Sequence, residues 1–176
     1  MTKNSKNNKF NESDLYNIIL ALSRNKLLYT KFNVADTFQN RINLIFVHFS
    51  FIFIKSESKG FNPKHKQSYQ KLFDYIFSQI EQNMRELGFG DVSVNKNMKF
   101  LVKSFYSILL YCRKYDEHDL SSKISFLNNW IKSNLPINKE NSDNLVDYFD
   151  KFAAFCFDLS SDNVLKGRLN FNYKVK

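Results

Sequence analysis

Apolar residues recur at helical spacing along most of this chain, in long runs with few turn residues between them. The pattern predicts six helices, at about residues 13–31, 36–57, 66–87, 95–115, 119–133 and 141–158. The four glycines and two prolines are too few for a sandwich or barrel of many short strands. We therefore predict an all-α fold, with one compact domain over residues 13–172 that ends in a short ordered tail. The polar residues 1–12 are predicted to be disordered.

The second predicted helix is apolar nearly all round, as expected of a central helix. Its most apolar segment, Ile42 to Ile54, is only about 20 Å long as a helix, which is shorter than a bilayer core of roughly 30 Å. We predict a buried helix and not a membrane span. Arg41 and His48 lie on one flank of it beside Ile45, where polar side chains need partners.

The third predicted helix carries one apolar stripe, with charged residues on its other side. The stripe consists of Tyr69, Leu72, Phe73, Ile76, Phe77, Ile80, Met84 and Leu87. Asp74, Glu81 and Arg85 lie away from it. At a spacing of four residues, Glu81 and Arg85 are predicted to form an ordinary surface ion pair, worth a few tenths of a kcal/mol.

The fourth predicted helix, which we expect Asn95 to cap, has two separate faces. Its apolar face consists of Met98, Leu101, Val102, Phe105, Ile108, Leu109 and Cys112. Nearly opposite, a lysine face is formed by Lys96, Lys99, Lys103 and Lys114. Such a row is typical of a solvated helix surface. Phe100, Leu110 and Tyr111 flank it, however, which leaves room for an anionic or amphipathic partner.

The chain is basic, with a net charge of +9. That charge suits a ribosome, nucleic acid or an anionic membrane surface, although we expect no DNA partner. The codon bias of an AT-rich genome gives a similar composition, so the charge alone does not select a partner. Residues 1–10 show neither the apolar core of a secretory signal nor the amphipathic pattern of a mitochondrial presequence.

Little in the sequence indicates a metal or cofactor site, and we predict none. The two cysteines and three histidines are scattered, without zinc-ligand spacing. Cys112 falls on an apolar helix face, which favours an inert buried thiol.

Two of the four glycines, Gly88 and Gly90, lie in the segment Arg85-Glu86-Leu87-Gly88-Phe89-Gly90-Asp91. The segment follows a helix and lacks the third glycine of a dinucleotide loop and the Gly-Lys of a phosphate loop. A sharp turn is the favoured interpretation. The carboxylates Asp74, Glu81, Glu86 and Asp91 form no evident acid–base pair, so an enzyme is the weaker hypothesis. We expect Asp91 to cap backbone N–H groups and Glu86 to meet a cation, either Arg41 or His48.

The same segment resembles the ubiquinol–cytochrome c chaperone family. The similarity continues through Val94, Lys96, Met98-Lys99 and Phe105-Tyr106, and includes Gln70 to Asp74 upstream, the series Asp36, Arg41 and His48, and a closing Leu165, Gly167, Leu169 and Phe171. It covers about residues 28–172. One departure is Ser107-Ile108, where the family usually has Gly-Arg.

The resemblance implies a non-enzymatic chaperone that binds newly made cytochrome b and assists assembly of ubiquinol–cytochrome c reductase. It implies a cytoplasmic location, peripheral to the inner membrane in bacteria or on the matrix side in mitochondria. Mitochondrial members work with a small partner protein and associate with the ribosome near its tunnel exit. The family-motif residues implied to be structural or partner-binding are Arg41, His48, Asp74, Arg85, Glu86, Gly88, Gly90, Asp91, Lys96, Lys99, Lys103, Phe105 and Tyr106.

Two hypotheses follow. A chaperone predicts a contiguous exposed apolar and aromatic surface beside the lysine face. The alternative is a basic helical module that docks on the ribosome or on an anionic membrane without a client of its own, and it predicts strongly salt-dependent binding.

Overall fold

The structure is a computed structural model that describes residues 11–57, 63–134, 139–160, 163–164 and 167–174. In order, its helices are α1 (Glu12–Ser23), α2 (Lys26–Thr30), α3 (Phe38–Glu57), α4 (Pro63–Glu86), α5 (Asp91–Cys112), α6 (Leu120–Trp130) and α7 (Lys139–Asp158), with a 3₁₀ turn at Tyr115–Glu117. The described part of the chain holds no strand, only a single bridge between Val34 and Ser133. The all-α prediction is confirmed.

The central helix is α3, which packs against α1, α4, α5 and α7. Its side chains are apolar on nearly every side, and those of Phe46, Phe49 and Phe51 are fully buried. The ring of Phe105 on α5 lies 5.2 Å from that of Phe49 and 5.5 Å from that of Phe46, centroid to centroid. Aromatic pairs at such distances add stabilisation beyond the burial of their area. Many of the aromatic side chains in the described ranges are buried in this core. None of the helices in the described ranges is long and apolar enough to cross a membrane.

The first predicted helix is divided into α1 and α2, because the helix is interrupted at Arg24 and Asn25. The backbone of Asn25 is not helical, and its side chain accepts a hydrogen bond of 3.1 Å from the N–H of Leu27, which caps α2. α1 begins at Glu12, one residue before the predicted start. Asn11 caps α1 by accepting from the N–H of Ser13 at 3.2 Å, so Ser13 itself lies inside the helix. Residues 1–12 were predicted to be disordered. This is wrong for Asn11 and Glu12, which cap and begin α1, and residues 1–10 lie outside the described residues.

A strap of hydrogen bonds joins the start of α3 to the end of α6. Asn40, 1% exposed, donates through its side-chain nitrogen to the carbonyls of Ala35 (2.7 Å) and Lys132 (2.8 Å). Its side-chain oxygen accepts from the N–H of Lys132 at 2.9 Å. One buried amide thus satisfies three backbone groups, two of them 92 residues away in the chain.

The tail packs on the core as predicted. Over residues 167–174, Leu169 and Tyr173 are buried. The ring of Phe171 lies 5.1 Å from that of Phe152 on α7, and the hydroxyl of Tyr173 donates to the carboxylate of Asp147 at 2.7 Å. The tail therefore covers the outer side of α7.

Candidate functional site

The turn between α4 and α5 is as sharp as its two glycines suggest. Gly88 has φ +87°, a value that glycine adopts at low cost. Its N–H donates to the carbonyl of Arg85 at 2.9 Å, and that of Phe89 donates to the carbonyl of Met84 at 3.1 Å. These two bonds make a Schellman ending of α4. Gly90, with φ −71°, needs no special conformation.

The next helix begins four residues earlier than predicted. Gly90 is the N-cap of α5 and Asp91 is its first residue, so Asn95 lies inside the helix instead of capping it. The expected backbone cap by Asp91 is also wrong, because no side chain caps this end of α5. An N-terminal carboxylate still interacts favourably with the helix dipole.

Arg85 links the two helices across the turn. It donates to one oxygen of Glu81 from two nitrogens, at 3.1 and 2.8 Å, and to Asp91 from a third. The hydrogen bonds that Arg85 donates to Asp91 and Glu81 raise the pKa of Arg85, which stays charged. The predicted pair with Glu81 is confirmed. The side chains of both pairs are exposed to solvent, so the pairs orient the turn more than they stabilise it.

Glu86 meets neither predicted cation. It accepts a hydrogen bond of 3.0 Å from the side chain of Gln82 on its own helix. Arg41 is exposed and binds both oxygens of Asp36, at 2.6 and 2.8 Å. That hydrogen bonding lowers the pKa of Asp36. Arg41 and Glu86 nevertheless line the same groove.

His48 is a core residue with no access to the turn. Its side chain is fully buried, with Nδ1 lying 2.7 Å from the carbonyl oxygen of Leu44 and Nε2 2.9 Å from the hydroxyl of Tyr148. Burial lowers the pKa of His48 to about 4, so the ring is neutral. Arg41 and His48 were both predicted to need polar partners. Each has them, but the partners of the two residues are different.

The carboxylates of the family motif are not arranged for acid–base chemistry. Glu86 and Asp91 are exposed, and their partners are a glutamine and an arginine. Asp74 is exposed on α4 and accepts from Gln70 at 2.8 Å. The described residues include no group of three or more His, Cys, Asp or Glu side chains that could hold a metal ion.

Three exposed apolar side chains surround the turn. Leu87 is 62% exposed, Phe89 40% and Val92 85%. We call these three residues and the two grooves beside them the turn surface. Leu87 had been assigned to the buried stripe of α4, which is wrong because the helix ends at Glu86. This cluster was not among the residues identified from sequence.

The two grooves lie on either side of the turn and share one wall residue, Phe38. The first, of about 250 Å³, lies between α1, α3 and α4; Leu20, Ile42, Ile45 and Leu87 supply apolar lining, while Arg24, Arg41 and Glu86 are polar lining residues. The second, of about 180 Å³, is lined mainly by Met84, Phe89, Phe100 and Leu101. The turn surface therefore has a groove with apolar lining residues on each side of the turn.

The lysine face continues from the turn surface along α5. Lys96, Lys99, Lys103 and Lys114 are all exposed. Phe100, Tyr106 and Leu110 are 56%, 51% and 65% exposed on the same helix. The Phe-Tyr motif is divided between two environments, because Phe105 is buried in the core while Tyr106 lies at the surface, its ring 6.1 Å from that of Phe73.

These observations define an all-helical protein with an apolar turn surface and an adjoining lysine face, both suited to binding a macromolecule. The model of the ubiquinol–cytochrome c chaperone family matches residues 30–171, and the chain belongs to that family. Among solved structures, it is similar to the crystal structure of the Cbp3 homolog from Brucella abortus, with 26% sequence identity and a TM-score of 0.78 over 92% of this chain and 88% of that one. A comparison with curated proteins found no match.

Proposed function

We propose that this protein is an assembly chaperone that binds newly made cytochrome b at the turn surface and so assists the biogenesis of ubiquinol–cytochrome c reductase. Its membership of the ubiquinol–cytochrome c chaperone family supports the role. The observation that carries the choice of surface is the exposure of Leu87, Phe89 and Val92 together around one turn.

The exposed side chains of Leu87, Phe89 and Val92 are unfavourable in water. Fully burying a side chain of this kind stabilises a complex by about 1.5 to 3 kcal/mol, and a cluster of such residues typically marks a binding site. Cytochrome b is a very apolar membrane subunit, so a chaperone would shield its apolar surface from water before assembly. The grooves beside Phe38 suit an apolar helix, which would place successive side chains on either side of the turn.

A matched pair of variants tests the site. Leu87→Ser removes an exposed leucine from the turn surface, and Leu120→Ser removes one of similar exposure (51% against 62%) from α6. We expect cytochrome b to co-purify with the tagged wild type and the Leu120 variant from solubilised membranes of the native organism. Recovery with Leu87→Ser should fall about tenfold, the loss expected for one buried leucine.

Deletion of the gene separates this role from its alternative. A chaperone predicts lower levels of cytochrome b and lower reductase activity, restored by the wild type and by Leu120→Ser. Unchanged cytochrome b levels and activity would overturn the proposal. They would leave the second candidate, a basic module that docks on the ribosome or an anionic membrane through the lysine face without a client. Its binding should disappear at high salt.

A further inference from the structure

We propose that the exposed face of α5 docks on an anionic lipid bilayer, with its lysines among the headgroups and its apolar residues in the interfacial layer. This contact does not depend on the proposed client. It shares Val92 and Phe100 with the turn surface, but its lysines and Leu110 line neither groove, so it gives the protein a second binding activity.

The charge on this face is unopposed. No acidic residue occurs at positions 92–115, which include nearly all of α5. Within the described part of the chain, no ion pair or hydrogen bond engages the ammonium groups of Lys96, Lys99 and Lys103. By contrast, Asp74 and Glu81 lie among the basic residues of α4. Each lysine held near an anionic bilayer strengthens attachment about fivefold, and the effect acts only within about a Debye length of the surface.

Apolar residues among the lysines favour lipid over RNA. At 100° per residue, Val92, Lys99, Lys103 and Leu110 lie within about 40° of one another around α5. Val92 is 85% exposed and Leu110 65%. RNA phosphates offer nothing to cover these aliphatic side chains, whereas the headgroup boundary accepts them and lets lysine ammonium groups remain in water.

Two aromatic residues flank this central strip. Tyr106 lies to one side and Phe100 to the other, both about half exposed. Tyrosine is characteristic of the membrane interface, where its hydroxyl meets water and its ring meets lipid. With about 33 Å of helix available, α5 is long enough to lie along the membrane plane over its whole length.

The direct test is sedimentation of the full chain with phosphatidylcholine vesicles, prepared with and without phosphatidylglycerol, at low and at high salt. We expect binding that requires phosphatidylglycerol and falls steeply with salt. Equal binding to neutral vesicles, or no binding to either kind, would overturn the proposal.

Two triple variants with the same loss of charge locate the contact. Lys96→Gln, Lys99→Gln and Lys103→Gln together should weaken vesicle binding on the order of a hundredfold. Lys26→Gln, Lys31→Gln and Lys132→Gln together remove three exposed or half-exposed lysines outside α5 and should change it little. Equal losses from the two triples would show that net charge acts without a specific face, and would refute the proposal.

The apolar contribution has its own pair. Leu110→Ser should weaken binding about tenfold, whereas Leu120→Ser on α6 should leave it unchanged.

A titration with ribosomal RNA tests the competing partner. If RNA binds with the same lysine dependence and vesicles do not bind, the face is an RNA surface and the lipid proposal fails. Should the lysine triple fail to fold, as judged by circular dichroism, the lipid and salt dependence of the wild type decides the question.

Discussion

His48 and Tyr148, 100 residues apart in the chain, share a hydrogen bond of 2.9 Å inside the core. A carbonyl oxygen can only accept, so Nδ1 of His48 donates to Leu44 and Nε2 is left to accept from the tyrosine hydroxyl. The bond thus has a defined direction. It joins α3 to α7 through two side chains that are both fully buried.

Removing the tyrosine hydroxyl leaves that nitrogen without its donor. We expect Tyr148→Phe to lower the free energy of unfolding by about 1 to 3 kcal/mol, the cost of a buried polar atom without a partner. Urea denaturation measures the loss. Tyr106→Phe makes the same change at a side chain that is 51% exposed, and should have almost no effect. Similar values for the two variants would contradict the buried bond.

Protonation of His48 should weaken the fold in acid. Burial lowers the pKa of His48 from 6.5 to about 4. Between these values the unfolded chain takes up a proton that the folded chain refuses, so stability falls as the pH drops through this window. The loss should reach about 3 kcal/mol near pH 4 and vanish above pH 6.5.

Urea midpoints measured across that window check the prediction. His48→Gln should be less stable at neutral pH but should lose this part of the pH dependence. His118→Gln removes a partly exposed histidine and should keep it. If the slope persists in the His48 variant, another group is responsible for it.

The two glycines of the turn should respond differently to alanine. Neither position has an atom within 4 Å of an added Cβ, so space does not distinguish them. Backbone conformation does, because only Gly88 has a positive φ. We expect Gly88→Ala to cost about 1 kcal/mol. Gly90→Ala should cost clearly less, because φ −71° suits alanine and only the preference for glycine at an N-cap is lost. Thermal unfolding of both variants under one condition is sufficient, and an equal cost would argue against the Schellman ending.

Asn40 is expected to be the most sensitive asparagine at the start of α3. Asn40→Ala removes three hydrogen bonds. The carbonyls of Ala35 and Lys132 each keep a backbone N–H donor, but the N–H of Lys132 loses the acceptor it has here. The cost should be about 3 kcal/mol in chemical denaturation. Asn95→Ala is the matched control, since this exposed residue lies within α5 and does not cap it. It should be neutral or stabilising, because alanine has the higher helix propensity.

Both cysteines should be inert in the native protein. Cys112 and Cys156 are buried, and burial raises the pKa of each thiol. We expect no reaction with a thiol reagent at neutral pH until denaturant is added, when two thiols per chain should react. Fast labelling of either cysteine in the folded protein would show that its helix opens readily.

The longer helices could be predicted because their apolar and polar faces are well separated. On α5, the face predicted to be apolar is the buried one, and Lys96, Lys99 and Lys103 are exposed. The break between α1 and α2 could not be predicted in this way. Leu27 and Leu28 continue the apolar spacing across it. Arg24 is the C-cap of α1 and Asn25 the N-cap of α2, so the break occurs without a glycine or proline.

The candidate site was less predictable than the fold. Its position at the turn follows from the two glycines, but the partners of its charged residues depend on where α4 ends and α5 begins. A start at Asp91 places that carboxylate within reach of Arg85. The spacing of Arg41 and His48 correctly predicted that they share one flank of α3. It did not predict that His48 is buried and Arg41 exposed. Depth depends on α7, which covers His48 and leaves Arg41 exposed.

The position of α3 at the centre also affects when this protein can finish folding on the ribosome. Two of its buried polar side chains depend on residues far along the chain: Asn40 bonds with Lys132 and His48 with Tyr148. The ring of Phe32, just before α3, lies 5.8 Å from that of Tyr173 in the tail. A nascent chain that ends before α6 has synthesised its central helix without the residues of α7 that cover one side of it. The domain therefore completes its core only after α7 and the tail have been synthesised.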